Sequence, residues 1–163
     1  MNRTIQPAPV RKTLTVAAIP ERAFEVFTAG FDRWWPRSHT IGKGVLKQAV
    51  LEPRAGGRWY GIDDDGSEAT WGEVLIWEPP GRVVLAWRIG ADWQYHSDLL
   101  TEVEVTFTAE ASGKTRVDFE HRHLERLGDA AASLREALDS AGGWTGILQS
   151  YADVIARTEA EAG

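Results

Sequence analysis

The first regular pattern along the chain is an alternation. Between Val10 and Ala18, the residues Val10, Lys12, Leu14 and Val16 fall on one face and Arg11, Thr13 and Thr15 on the other, which predicts a strand. Pro20 suits a helix start, because its missing N–H would find no partner in the first turn. Ala23, Phe24, Phe27 and Phe31 follow at helical spacing for a buried face. Gly30 divides this stretch into two short helices, and Pro36 ends the second. From Val45 onward the period becomes two. Strands are predicted over Val45–Glu52, Arg58–Ile62, Glu68–Trp77, Arg82–Ile89, Leu99–Thr108 and Thr115–His123. The breaks between them carry turn chemistry: Pro53 to Gly57, Asp65-Gly66, Pro79-Pro80-Gly81 and Ser112-Gly113. Short turns between consecutive strands make antiparallel neighbours. The longest break, Gly90 to Asp98, holds Trp93, Tyr95 and His96.

Helical spacing returns at the end. Leu134 and Leu138 mark a helix over Asp129–Asp139. Gly142-Gly143 breaks it, with Asp139 and Ser140 offering a cap for the next helix. Trp144, Leu148, Tyr151 and Ile155 form one apolar stripe on a final helix of roughly 16 residues, about 24 Å long. The expected architecture is α+β: a curved antiparallel sheet of about seven strands wrapped around the C-terminal helix, with two short helices after the first strand. Residues 10–158 form a single domain, residues 1–9 a flexible tail, and residues 159–163 a frayed end.

This order of elements resembles the helix-grip fold of the START-like (SRPBCC) superfamily. Several segments are similar to its branch related to the activator of the Hsp-ninety ATPase. They are Phe31-Asp-Arg-Trp-Trp-Pro-Arg-Ser-His39, Leu51-Glu-Pro-Arg-Ala-Gly-Gly-Arg-Trp59, Trp71-Gly-Glu-Val74, Trp77-Glu-Pro-Pro80, Trp87 and Gly143-Trp144 with Leu148. The resemblance spans residues 10–157. It implies a hydrophobic cavity between sheet and C-terminal helix, in a superfamily of lipid and hormone binders, polyketide cyclases and co-chaperone domains. Fold alone does not choose among these. The co-chaperone carries a larger N-terminal domain that docks on the chaperone. Here nine residues precede the first predicted strand, so a chaperone contact is not expected.

Composition narrows the chemistry. A chain of 163 residues fits one domain. A net charge of −6 with no basic stripe argues against a nucleic-acid partner. With no Cys, disulfides, thiolate metal sites and Cys nucleophiles are excluded. No signal-peptide core and no run of about 18 apolar residues is present, so a cytoplasmic location and no membrane partner are expected. Asp63-Asp-Asp65-Gly66 lacks the acids a calcium loop needs, and Gly42-Lys43-Gly44 lacks phosphate-loop spacing. No cofactor fingerprint is found, and neither a cofactor nor a metal is expected. The unusual count is Trp: eight, against three Tyr and five Phe. Either the core is bulky or an aromatic pocket is being built.

The candidate site residues come from the strand and helix faces. Val117, Phe119, His121 and His123 share one side of the last strand, so both His are expected inward or at a cavity rim. There they could meet a ligand's polar end, hold a metal with a third ligand from His39, His96 or a carboxylate, or be hydrogen-bonded structural residues. Trp34 and Trp35, with His39 after Pro36, suit one wall of a pocket or a core-plus-lid arrangement. Trp87 and Phe107 lie on inner strand faces; Trp144, Leu148 and Tyr151 lie on the final helix stripe. Trp71, Glu73, Leu75 and Trp77 share a face by strict alternation, and Trp59, Trp71 and Trp77 are ambiguous. An inward Glu73 would be a candidate acid/base, as would His121; an outward Glu73 would pair with Arg88 or Arg58. The leading reading is a binding protein for a small hydrophobic or aromatic molecule. The alternatives are a cyclase- or hydrolase-type enzyme using the same cavity, and an interaction module, either co-chaperone-like or a homodimer built on exposed Trp.

Overall fold

The alternating segments pair into one seven-stranded antiparallel sheet. The computed structural model describes residues 8–37, 39, 44–90 and 92–162, and of 159–162 the backbone only. Residues 1–7 of the expected tail and residues 40–43 lie outside the described residues. In chain order the elements are β1 (Val10–Val16), α1 (Pro20–Phe27), α2 (Phe31–Trp34), β2 (Leu46–Leu51), β3 (Arg58–Asp63), β4 (Glu68–Glu78) and β5 (Arg82–Trp87). Then come β6 (Thr101–Glu110), β7 (Lys114–Arg122), α3 (Ala131–Asp139) and α4 (Trp144–Ala162). The sheet order is β1-β7-β6-β5-β4-β3-β2, so the first strand pairs with the last. All neighbours are antiparallel, as the short turns require.

The concave face carries Val83, Leu85, Val103, Val105, Phe107, Val117 and Phe119, all buried. On the opposite face, charged side chains link the strands, as where Arg122 bonds Glu102 and Glu104 at 2.9 and 2.8 Å. Helix α4 lies on the concave face with Leu148, Tyr151 and Ile155 buried. Tyr151 donates its hydroxyl to the Ala23 carbonyl at 2.7 Å and meets Phe27 and Trp34 edge-on, tying α4 to α1 and α2. Burial of this phenol raises its pKa. Tyr151→Phe removes one buried bond, so thermal denaturation is expected to show a loss of about 1 kcal/mol, roughly 2–4 °C.

Local departures from the sequence pattern have identifiable causes. The break at Gly142-Gly143 is real, and a side chain at Gly143 would collide with the carbonyl oxygens of Ala137 and Leu138. The expected cap from Asp139 and Ser140 does not form. Asp139 pairs with Lys12 and Arg135, and the Ser140 hydroxyl donates to the Ala137 carbonyl at the end of α3. Helix α4 runs for 19 residues, longer than expected. Between β7 and α3, Leu124–Ala130 forms a short 3-10 stretch, and α3 starts at Ala131 rather than at the expected Asp129.

Strand β4 is the main correction. Its register slips at Trp71 against β3 and at Leu75 against β5. Each slip is a bulge, and each reverses the facing of the residues beyond it. Strict alternation put Glu73 on the same side as Trp71 and Trp77. The bulges instead leave Trp71 buried, turn Trp77 onto Phe24 at 4.9 Å, and put Glu73 with Arg88 outside. Gly72 lies between Trp59 of β3 and Trp87 of β5 in the pairing register. The two indoles meet at 5.5 Å.

Candidate functional site

Most of the space between sheet and α4 is filled. Trp34 donates its indole N–H to the Val26 carbonyl at 2.9 Å and is buried. Phe107 packs edge-on against Phe24 and Phe27, and Phe119 packs against Trp144 at 4.6 Å. Together with Leu148 and Tyr151, these residues were expected to line a cavity. They are core, because facing aromatic rings interdigitate there rather than leaving a gap.

An opening remains at one end, where β4 and β5 meet the α3–α4 junction. It has a volume of about 380 Å³. Five indoles line it: Trp35, Trp71, Trp87, Trp93 and Trp144. Ile89, Leu138 and Ile147 add aliphatic surface, and His39, Ser140 and Gly142 add polar atoms. Among the described residues, no Asp, Glu, Lys or Arg lines this pocket. Of the residues singled out in the sequence, Trp35, His39, Trp87 and Trp144 reach it.

The indoles are held by one another and by backbone. Trp35 stacks on Phe31 at 5.0 Å and tilts over Trp71 at 5.2 Å. Its N–H donates to the His39 carbonyl at 2.8 Å, and a bond of 2.8 Å joins His39 Nε2 to the Gly142 carbonyl. The wall from α2 is thereby tied to the turn that starts α4. Among the described residues, the buried side-chain donors without a hydrogen-bond partner are the indole N–H groups of Trp59 and Trp71. Each unmet buried donor is a cost to the fold, which the packing of the surrounding rings offsets.

His121 does not face the pocket. It is fully buried behind it, and both ring nitrogens are engaged. Trp144 donates its N–H to His121 Nδ1 at 3.1 Å. That leaves Nε2 to carry the proton and donate to Thr101 Oγ1 at 2.8 Å. The Thr101 hydroxyl in turn donates to the Trp87 carbonyl at 3.0 Å. The chain uses every donor once, and it ties the Trp144 indole to the backbone of Trp87. Burial depresses the His121 pKa to about 3, so the ring is neutral throughout the physiological range.

His123 is corrected outward. Strand β7 ends at Arg122, and His123 turns the chain at φ 65°, which breaks the alternation. It lies half-exposed beside Glu102 and Glu125. No group of three or more metal-ligating side chains occurs among the described residues. Glu73 is likewise outside the pocket, gripped by Arg88 through several hydrogen bonds. The bond to Glu73 raises the Arg88 pKa. Arg88 also donates to the Ser97 and Leu99 carbonyls at 3.0 and 3.2 Å. It therefore anchors the loop between β5 and β6, which carries Trp93.

Sequence reasoning left Trp71 undecided and gave Trp93 no role. The bulge that turns Trp71 inward has no simple signature beyond the adjacent Gly72. Trp93 had a signal of its own: a large indole in the longest inter-strand loop. Its backbone is left-handed at φ 58°, a conformation that costs a non-glycine residue about 1 kcal/mol or more.

The fold agrees with what the chain resembles. The family profile of the activator of Hsp90 ATPase homolog 1-like proteins matches residues 17–156, and the chain belongs to that family. Among solved structures, an anthrahydroquino-γ-pyrone synthase, Txn09, complexed with SUM, is 43% identical. The match covers 90% of this chain and 96% of that one, with a TM-score of 0.64. CalC, a self-sacrificing resistance protein from Micromonospora echinospora, is 37% identical over 92% of this chain and 95% of its own, with a TM-score of 0.69. The Aha1 dimer from Colwellia psychrerythraea, 16% identical over 91% of this chain and 96% of that one, shares the fold at a TM-score of 0.60. No curated protein matches the chain in sequence. Among the described residues, no helix is long and apolar enough to cross a membrane.

Proposed function

We propose that the chain binds a flat, uncharged, oxygenated polycyclic aromatic molecule in the indole-lined pocket. The observation that carries this is the wall itself: five indoles around about 380 Å³, with no charged side chain among the described residues that line it. Such a surface rewards flat apolar area and penalises a buried ion. The volume falls within the usual range for small-molecule sites. The hydroxyl of Ser140 and the imidazole of His39 on the wall suit a ligand with polar oxygens at its edge. The synthase relative is named for an anthrahydroquinone fused to a γ-pyrone, which is flat, polycyclic and rich in oxygen.

The same relative supports a second reading, ring closure of such a molecule. In that case the pocket acts as a template, and His39 is the titratable side chain on its wall. Activation of a chaperone ATPase, which the family's name suggests, draws no support from an apolar pocket.

The test is a titration with a hydroxyanthraquinone, read by Trp emission and by melting temperature. Saturable quenching and a concentration-dependent rise in melting temperature are expected. Arg11→Gln, at an exposed position of β1 outside the pocket lining, should leave both unchanged. A panel of flat neutral aromatics that neither quenches nor stabilises would remove the reading. Conversion of a poly-keto precursor, lost in His39→Ala with binding retained, would establish the ring-closing alternative.

A further inference from the structure

Seven of the eight tryptophans are packed against other aromatic rings. Trp34, Trp35, Trp59, Trp71, Trp87 and Trp144 form a connected web, and Trp77 meets Phe24. Among the described residues, Trp93 is the one indole with no ring partner. Yet it lines the same pocket as Trp35, Trp71, Trp87 and Trp144. Its side of the pocket is the mouth, where it is 47% exposed.

An exposed indole in a left-handed backbone conformation is unfavourable twice over, and neighbouring bonds must hold it there. They do. Ile89 bridges to Tyr95, Gly90 N–H donates to the Gln94 carbonyl at 3.0 Å, and Trp93 N–H donates to the Gly90 carbonyl at 2.9 Å. The Gln94 N–H donates to the Asp92 carboxylate at 3.1 Å, and that carboxylate also engages His96 at 2.9 Å. Arg88 secures the base of the loop. Trp93 is thus a presented side chain on a braced turn, not a loose loop residue.

We infer that Trp93 is a ligand-contacting clamp: the flat ligand is its missing ring partner, and its indole closes the pocket mouth over the ligand's outer edge. This rests on the proposed binding of an aromatic molecule and assigns one residue within it. The bound ring system stacks between Trp93 and the packed indoles of the inner wall. Trp93 then contributes mainly to residence time, since it must be displaced for the ligand to leave.

The experiment compares wild type, Trp93→Ala, Trp93→Phe and Trp93→Gly, with a hydroxyanthraquinone as probe. Trp93→Ala should weaken binding about tenfold or more, chiefly by faster dissociation, because a stacked ring and its buried area are lost. Trp93→Phe keeps a ring and should stay within about threefold of wild type. Trp93→Gly should bind as weakly as Trp93→Ala while melting higher than wild type without ligand, since glycine adopts φ 58° freely. A purely structural Trp93 would move stability and binding in the same direction, and that result overturns the inference. So does wild-type affinity in Trp93→Ala, which would leave the pocket reading standing without the clamp. Absence of binding by wild type itself would remove both.

Discussion

Replacing His121 with Phe is expected to cost about 3 kcal/mol at neutral pH. The imidazole accepts from Trp144 and donates to Thr101 within a fully buried site. A phenyl ring strands the Trp144 N–H without an acceptor, and a stranded buried donor is the expensive part of such a change. The pH dependence gives a second readout. An unfolded imidazole titrates near 6.5, whereas the folded one titrates near 3. Between those values the unfolded chain binds more protons than the folded one, so stability is full above pH 6.5 and falls as the pH drops toward 3. From about pH 7.5 to pH 5, this single group removes about 2 kcal/mol. Chemical denaturation at the two pH values should show that loss in wild type and lack it in His121→Phe. Equal slopes in the two proteins would mean that His121 is not buried in its neutral form. Ligand affinity should fall in the same variant, because Trp144 loses the bond that orients it in the pocket wall.

Gly72→Ala should prevent stable folding. The added carbon would land on the Ala86 carbonyl oxygen of the paired strand, which is backbone and cannot rotate away. Relief requires β4 to part from β5 where Trp59, Trp71 and Trp87 converge. The cost is more than ~3 kcal/mol, a large share of a domain's stability. Insoluble expression, or a melting temperature many degrees lower, is the expected outcome. A soluble Gly72→Ala protein melting near wild type would show that β4 and β5 are not paired in this register.

These two residues also show where reading the sequence stops. Strand order and helix positions follow from alternation, turn chemistry and 3.6-residue spacing, each a local property. Pro20, Gly30 and Gly142-Gly143 punctuate the helices where their backbone constraints require. The pairing of Glu73 with Arg88 was among the readings the sequence offered, but strict alternation could not choose it, because the two bulges of β4 are set by how neighbouring strands register rather than by its own residues. His123 was lost to a single left-handed residue after the strand had ended. His121 does face inward, but whether an inward histidine meets a ligand or another side chain depends on elements 20 and 23 residues away, at Thr101 and Trp144. The pocket was displaced for a similar reason. Phe107, Phe119 and Tyr151 are on inner faces, and only the packed structure shows that their rings fill the middle and leave the opening at the α3–α4 junction.

The eight indoles permit one direct measurement of the central claim. A proton–nitrogen correlation spectrum of their side-chain N–H groups resolves each wall residue as its own reporter. On titration with a hydroxyanthraquinone, the signals of Trp35, Trp71, Trp87, Trp93 and Trp144 should shift, while those of Trp34 and Trp77, which lie outside the pocket lining, hold still. Shifts confined to Trp34 and Trp77, or no shift at saturating probe, would contradict an aromatic-binding site at this pocket.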